Sequence, residues 1–336
     1  MAPLFTGLRL GFGRSAADGP VPFSATGGTK FTSGSLTYHV YSSTGPNPFT
    51  VSGASKTGNI FVVAGGAGGN DGGGGAGGIR EITGYVLSTG EYVVDVGSGG
   101  AGVPGPRPNS ISWPQVSGGG GNSNFYPSGA SYPSPTYIRT SGGGVGAIWS
   151  GFGISGGSGG GAGNRGSGSG GVGNTPPEPG QYGNPGGSSG GEPVDNIGGG
   201  GGGAGGAGIT GGTSAPTGTR GDGGPGQPFP TYDATIIGPA IPAPQRTAFI
   251  TAVGPTGLYG GGGGGGGRFP GDNSGTIGGP GGGGSGGNGS SSTPAGTPGI
   301  FGTGGGGGGG GFNEPNVRYG PGGAGGQGII IITYPT

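Results

Sequence analysis

The chain has 336 residues, of which 110 are glycine and 32 are proline, and its 12 basic and 12 acidic side chains balance at neutral pH. Such a glycine and proline content without a strict period is typical of low-complexity or disordered chains. However, 12 tyrosines and 13 phenylalanines supply more apolar anchoring than a solvated linker carries, so we expect order. The balanced charge disfavours capture of nucleic acid or of an anionic membrane surface.

Residues 1–22 form the first predicted region, an anchoring peptide ahead of the folded part. It lacks a positively charged start followed by an uninterrupted apolar core, so it is not a convincing signal peptide. A short apolar segment before a folded module suits insertion into a partner protein. The alternative is a strand or tail that folds back on its own domain. The candidate anchoring residues are Leu4, Phe5, Leu8, Leu10 and Phe12.

A small β-module is predicted for residues 23–103. Lys30–Tyr41, Asn59–Gly66 and Gly90–Gly97 have the β-branched and aromatic content of strands. A last β-branched run, residues 327–335, needs a partner for its backbone N–H and C=O groups. We therefore expect it to complete the β-module, most simply beside Ile60–Ala64.

The glycine-rich interior, residues 104–326, alternates glycine blocks with loops. Gly260–Gly267 and Gly304–Gly311 are each eight consecutive glycines, which excludes collagen because a triple helix has ordinary residues between its glycines. A polyproline-II helix has three residues per turn and no internal hydrogen bonds. Without a Cβ, such helices can lie side by side and bond to one another through their backbones. We expect a bundle of these polyglycine-II rods.

The predicted fold class is therefore mostly β and irregular. A small β-module formed by the N- and C-terminal strands would enclose the polyglycine-II bundle. Essentially no α-helix is expected, because no apolar stripe at helical spacing is present.

Aromatic residues in the loops between rods are the candidate binding residues. Such rings are favoured in recognition surfaces and in carbohydrate stacking. The alternative, equally open for each ring, is that it caps a rod end or holds a loop down. The candidates are Tyr126, Tyr132, Tyr137, Trp149, Phe229 and Tyr232.

No catalytic or metal site is predicted, and no cofactor. Gly153–Gly157 matches the G-x-S-x-G pattern, but such matches arise by chance in a chain this rich in glycine. His39 is the single histidine, and it lies far upstream on a predicted strand. The absence of cysteine excludes disulfides and thiolate ligands, and no apolar run reaches the ~18 residues of a membrane span. We expect a protein that is not an enzyme and does not insert into membranes.

Three segments carry a resemblance to a known family: Asn59–Ile82, Gly90–Gly102 and Gly322–Pro335. Their order, an apolar strand running into glycines, a second Tyr-Val-Val strand and a closing run of isoleucines, resembles the glycine-rich domain found in tail and other virion proteins of tailed phages. The resemblance covers residues 23–336. The architecture it implies is similar to the polyglycine-II sandwiches of phage long-tail-fibre tip adhesins and to the glycine-rich domain of the anaplastic lymphoma kinase receptor.

The resemblance implies a structural virion protein, located on the extracellular particle, whose loops bind the bacterial surface. Expected partners are other virion proteins, through the N-terminal peptide, and a bacterial receptor that is a glycan or an outer-membrane protein. A homo-oligomer is left open. The main alternative is a purely structural role, as a capsid-surface decoration protein or a building block of an extracellular filament.

Overall fold

The computed structural model describes residues 21–105, 107–108, 118–190, 197–212, 220–267, 276–289, 294–313 and 318–336. The predicted anchoring residues between Leu4 and Phe12 lie outside the described residues.

Two five-stranded antiparallel sheets form a β-sandwich. In chain order the strands are β1 (Ser24–Thr26), β2 (Thr29–Ser33), β3 (Leu36–Tyr41), β4 (Gly45–Ser52), β5 (Lys56–Val63), β6 (Ile79–Leu87), β7 (Gly90–Val96), β8 (Arg107–Pro108), β9 (Ser123–Pro127), β10 (Ile138–Thr140), β11 (Gln227–Pro228), β12 (Leu258–Tyr259), β13 (Phe312–Asn313), β14 (Arg318–Tyr319) and β15 (Ile329–Pro335). The first sheet has the order β1-β4-β7-β9-β10 and the second β2-β3-β15-β5-β6. The remaining strands form two smaller pairings, β11-β12 and β13-β14-β8.

The closing strand β15 lies between β3 and β5, where Ile331 pairs with both Val40 and Phe61. The predicted position beside the run that begins at Ile60 is confirmed. Ile330 and Ile332 face the core between the two sheets, whereas Ile329 and Ile331 face a second core on the outer side. Because both faces of β15 are buried, the strand is a continuous apolar run rather than an alternating one.

A helical insertion covers the outer face of the second sheet. It comprises α1 (Ala234–Ile237), α2 (Ala243–Val253) and two short 3₁₀ turns, Pro230–Tyr232 and Gly238–Ala240. Its side chains build the second core against Phe61, Val63 and Ile331. The mostly β and irregular class is confirmed, and this insertion is the departure from the expectation of essentially no helix.

The helix α2 has no apolar stripe at helical spacing, because only Phe249 and Val253 on it are buried. Its local signals are a proline in the first turn and Gly254 with a φ of 58° at its C-terminal end. For α1, the carboxylate of Asp233 accepts hydrogen bonds from the backbone amides of Thr235 and Ile236. Capping residues rather than periodicity mark this insertion in the sequence.

Glycine-rich rods continue directly from the strands of the sandwich. Here a rod is an extended glycine-rich segment, named by its residue numbers. Rods 64–70, 97–103 and 141–147 follow β5, β7 and β10, and rods 72–78, 118–122 and 320–328 run into β6, β9 and β15. The bundle thus includes residues before position 104. Since the strands are already paired, the sandwich delivers these rods to one another side by side.

The hydrogen bonds of rod 72–78 show the rod geometry. The amides of residues 73 and 76 donate to rod 197–203, those of 74 and 77 to rod 304–311, and those of 75 and 78 to rod 141–147, at 2.8–3.0 Å. The partner rod recurs every third residue, which is the repeat of a helix with three residues per turn. The predicted polyglycine-II bundle is therefore present.

The same rod accepts hydrogen bonds from three others: rods 64–70, 158–163 and 260–267. Three donating and three accepting directions give rod 72–78 six neighbours, as in a hexagonal lattice. Both eight-glycine runs are interior rods of this kind. Gly260–Gly267 donates to four segments and accepts from three, and so does Gly304–Gly311.

At most positions of the interior rods there is no room for a side chain, although a few buried alanines such as Ala76 fit between rods. A Cβ on Gly263 would lie 2.0 Å from the carbonyl oxygen of Gly307, and a Cβ on Gly306 would lie 1.9 Å from that of Gly74. Rods on the perimeter instead carry exposed non-glycine residues three positions apart, which places them on the same outer side of the rod. Such exposed pairs are Ser98 and Ala101, Phe152 and Ser155, Ser169 and Val172, Ile277 and Pro280, and Ala295 and Pro298.

Position in the lattice sets the effect of adding a methyl group. Gly263→Ala would force a Cβ against a carbonyl that is fixed in a neighbouring rod, and we expect a loss of about 3 kcal/mol in the free energy of unfolding. Gly119→Ala is the matched control, because its Cβ would meet nothing closer than 3.6 Å. We expect that variant to change stability by less than about 1 kcal/mol. Denaturant unfolding measures both, and equal losses would contradict the lattice assignment.

His39 gives the sandwich a pH dependence. Its Nδ1 lies 2.7 Å from the carbonyl oxygen of Gly27, and its Nε2 lies 2.9 Å from the Tyr334 hydroxyl. A neutral ring that donates through Nδ1 and accepts through Nε2 satisfies both contacts. Burial lowers the pKa of His39, against a smaller opposing effect of the Gly27 hydrogen bond.

Because the folded-state pKa lies below the unfolded value of about 6.5, the unfolded chain binds the proton first. Stability should be full above pH ~6.5 and fall as the pH is lowered through the window below it. We expect the melting temperature to drop between pH 7.5 and pH 5.5 in the wild type, and to drop less in His39→Gln. An equal drop in both proteins would assign the effect to another group.

Candidate binding surface

Three of the six predicted aromatic residues come together on the β9–β10 hairpin. Tyr126, on β9, and Tyr137, just before β10, stack with ring centroids 4.3 Å apart and an interplanar angle of 9°. Tyr132, in the loop between the two strands, meets Tyr137 edge-on at 5.6 Å and 72°. The sequence separates these rings, and the hairpin brings them to one place.

Tyr132 is the most exposed ring of the group, with 47% of its surface accessible. The guanidinium carbon of Arg139 lies 5.1 Å from its ring centroid, a cation–π contact. Burial raises the pKa of Tyr137, and the neighbouring Tyr126 and Asp95 raise it further while Arg139 opposes them. Tyr137 therefore remains a neutral hydrogen-bonding group at neutral pH.

A buried ion pair lies beneath the tyrosines. Glu178 is only 6% exposed, and one carboxylate oxygen accepts a hydrogen bond from the Tyr132 hydroxyl at 3.2 Å. Its other oxygen lies 3.7 Å from Nη1 of Arg80, on β6. That guanidinium also donates to the Arg139 carbonyl at 2.9 Å. Burial lowers the pKa of Arg80, and the charge of Glu178 opposes the shift.

The tyrosines and the ion pair line an open cleft of about 440 Å³, within the size range of small-ligand sites. Exposed prolines contributed by both the hairpin loop and the segment around Glu178 form much of its walls. The lining residues are Arg80, Tyr132, Pro133, Ser134, Pro135, Tyr137, Pro177, Glu178 and Pro179. The cleft combines ring faces, a carboxylate and a guanidinium on one rigid wall of the molecule.

Trp149 lies away from this cleft, beside Arg165, Phe312 and Tyr319. The Arg165 guanidinium lies 4.0 Å from a ring centroid of Trp149, and Tyr319 lies 6.0 Å from the indole. Its backbone has a φ of 49°, unusual for a bulky residue, and its amide donates to the buried carboxylate of Asp71 at 2.7 Å. Trp149 closes the end of rod 141–147, which agrees with the rod-capping alternative.

The structure places Phe229 and Tyr232 differently from the expected loop display. Phe229 is 6% exposed and Tyr232 is completely buried. Tyr232 stacks on Phe61 at 4.3 Å, and its hydroxyl donates to Glu81 at 3.0 Å. The two rings anchor the helical insertion to the second sheet, so we remove them from the binding candidates. The proline-rich sequence around them is typical of a loop, which explains the wrong prediction. The signal for a covering layer is in β15, because a strand that is apolar on both faces needs a second layer to bury its outer face.

Sequence analysis missed the charged half of the cleft. Arg80 belongs to a strand and Glu178 to a proline-rich stretch almost one hundred positions away, and no local spacing connects them. The isolated β-bridge between Ile79 and Tyr182 brings the two segments together. Such a contact depends on the lattice position of the rods and is not encoded in a short motif.

Other features of the described residues bear on chemistry. Within the described ranges, no group of three or more histidine, aspartate or glutamate side chains is placed to hold a metal ion. None of the helices in this part of the chain has the length and apolar character needed to cross a bilayer. His39 is completely buried in the sandwich core, whereas Ser155 of the G-x-S-x-G match is exposed on a perimeter rod.

Comparison with known proteins identifies the family of the chain. No curated protein matches the chain. A family model described as a glycine-rich domain matches residues 42–335, which takes in most strands of both sheets and the rods between them. The chain therefore belongs to this glycine-rich domain family.

Proposed function

We propose that the chain is a non-enzymatic structural protein of a tailed-phage virion, a tail fibre or tip adhesin that presents loops to the host surface. The resemblance of its strand and glycine motifs to virion proteins supports the virion context. The observation that carries the adhesin role is the cleft between the β9–β10 hairpin and Glu178, an exposed aromatic and charged site on a rigid support.

Rigidity matters because an exposed loop loses conformational freedom when it binds. Here the loop that carries Tyr132 is fixed at both ends by strands and is held by Tyr126 and Arg139. The hairpin is supported by the sandwich, where Phe125 and Ile138 pack into the core between the two sheets. A partner would meet a surface that is already ordered, which favours tight binding from a small contact area.

In this proposal the remaining partners are other virion proteins. Residues 1–22 would insert into one of them, and the protein would be located on the extracellular particle. The described chain begins at the sandwich: the carbonyl of Val21 accepts a hydrogen bond from Ala54, and β1 pairs with β4.

Cell binding tests the adhesin role. Fluorescently labelled protein is incubated with a panel of bacterial isolates, and the cell-bound fraction is measured. We expect saturable binding to at least one isolate, reduced about tenfold or more in the double variant Tyr132→Ala with Tyr137→Ala. Phe152→Ala is the control, because this ring is 66% exposed on a perimeter rod and does not line the cleft.

Two outcomes would overturn the adhesin proposal. One is the absence of saturable binding to any isolate. The other is equal binding by the wild type and the double variant, with melting temperatures that show both to be folded. Either outcome would favour the purely structural alternative, a decoration protein or filament component.

A further inference from the structure

The geometry points to a pyranose saccharide as the ligand of the Arg80–Glu178 cleft, an assignment that rests on the proposed function. The first argument is the distance between the charged groups of Arg80 and Glu178. At 3.7 Å the Arg80 nitrogen and the Glu178 oxygen are too far apart for a direct hydrogen bond. A carboxylate only accepts and a guanidinium only donates. A hydroxyl group, which does both, suits the space between them.

The second argument is the pairing of this polar floor with apolar walls. Tyr132 and Tyr137 lie beside Pro133 and Pro177, and an aromatic ring face attracts positively polarised hydrogens. A pyranose presents C–H groups on its faces and hydroxyl groups on its edges. It can therefore lie against the rings and prolines while an edge hydroxyl reaches the ion pair.

The third argument is charge. Arg80 and Glu178 neutralise each other within the cleft, so the floor does not require a strongly charged ligand. The Tyr132 hydroxyl fixes one carboxylate oxygen at 3.2 Å, which orients the other toward Arg80. Tyr132 thus both contributes a ring and positions the acceptor.

The test uses the purified full chain and methyl glycosides of common bacterial hexoses and 6-deoxyhexoses, with binding followed by saturation-transfer NMR. We expect at least one glycoside to bind. Glu178→Gln and Tyr137→Ala should each raise its dissociation constant about tenfold, because glutamine lacks the charge and one of the two acceptor oxygens, and alanine lacks the ring face. Tyr132→Phe, which keeps the ring, should weaken binding less than Tyr137→Ala. Phe152→Ala should bind as the wild type does.

The outcomes separate this inference from the proposed function. If no glycoside binds, or if the cleft variants bind as the wild type does, the saccharide assignment is wrong. Cell binding that still depends on Tyr132 would then indicate a protein receptor and leave the adhesin role intact. Glycoside binding without any cell binding would instead contradict the adhesin role.

A second inference concerns the side wall of the bundle and depends only on the lattice. We infer that the outward residues of the perimeter rods terminate the lattice and prevent a second copy from adding rods to it. Inside the bundle, a Cβ directed at a neighbouring rod would meet its carbonyl oxygen at about 2 Å, as at Gly263. An outward side chain therefore holds an approaching rod beyond hydrogen-bonding distance.

Two neighbouring perimeter rods show the pattern. Rod 294–300 exposes Ala295 and Pro298, and rod 320–328 carries a half-buried Pro321 and an exposed Ala324 in the same three-residue register. Proline also removes the backbone N–H that a neighbouring rod would need. Charged and proline residues protect the edges of β-sheets from unwanted pairing in a comparable way. By this account the bundle walls do not build a filament by lateral packing.

Sedimentation velocity tests whether the outward residues of the perimeter rods keep the protein monomeric. We expect the wild type to sediment as a monomer at micromolar concentration. The quadruple variant Ala295→Gly, Pro298→Gly, Pro321→Gly and Ala324→Gly should form larger species whose share rises with concentration. Ala76→Gly, inside the bundle, is the control and should remain monomeric.

A wild type that already self-associates through this wall would overturn the inference, and so would a folded quadruple variant that stays monomeric. If the quadruple variant does not fold, Ile277→Gly with Pro280→Gly tests the same pattern on another wall. Monomeric behaviour of that folded double variant would equally contradict it.

Discussion

Backbone hydrogen bonds between neighbouring rods hold the glycine bundle together, and they form only where no Cβ separates the rods. Fixing one residue costs about 1–2 kcal/mol in conformational entropy, whereas a single hydrogen bond contributes only about 0.5–1.5 kcal/mol net. An isolated rod is therefore unstable. An interior rod such as Gly304–Gly311 donates and accepts on all sides and gains close Cα–H···O contacts as well, so stability arises from the whole lattice.

A cooperative lattice needs a starting template, and the sandwich supplies one. Rods 64–70, 97–103 and 141–147 continue from strands that are paired within the two sheets. Three further rods return into paired strands. The conventional apolar core thus lies in the sandwich and beneath the helical insertion, where β15 is buried on both faces. The apolar side chains of this chain are few because the bundle does not use them.

The sequence predicts those parts of the fold in which a residue pattern fits only one structural position. Uninterrupted glycine runs fit only interior rods, and repeats with one non-glycine residue in three, such as Ile277 and Pro280, fit perimeter rods. The position of β15 follows from the need to pair a terminal strand. The helix α2 could not be predicted from periodicity, since it buries only Phe249 and Val253. Phe229 and Tyr232 resembled loop residues because the covering layer to which they belong is not periodic.

The candidate site divides in the same way. The three tyrosines were identified by residue type, and local hairpin geometry brings them together. Arg80 and Glu178 could not be found, because their contact is set by which rods are neighbours in the lattice. A complete set of neighbour assignments would be needed to connect them. The arrangement of the rods also places Trp149 away from the cleft, at the end of rod 141–147.

Amide hydrogen exchange in the two eight-glycine runs tests the central claim most directly. If the runs are interior rods, the amides of Gly260–Gly267 and Gly304–Gly311, apart from Gly305, exchange as slowly as those of strand β15. Each of these amides donates to a neighbouring segment and is released only on global unfolding, whereas Gly305 donates to the Thr303 hydroxyl. Exchange at the rate of an unstructured chain, while β15 remains protected, would contradict the account.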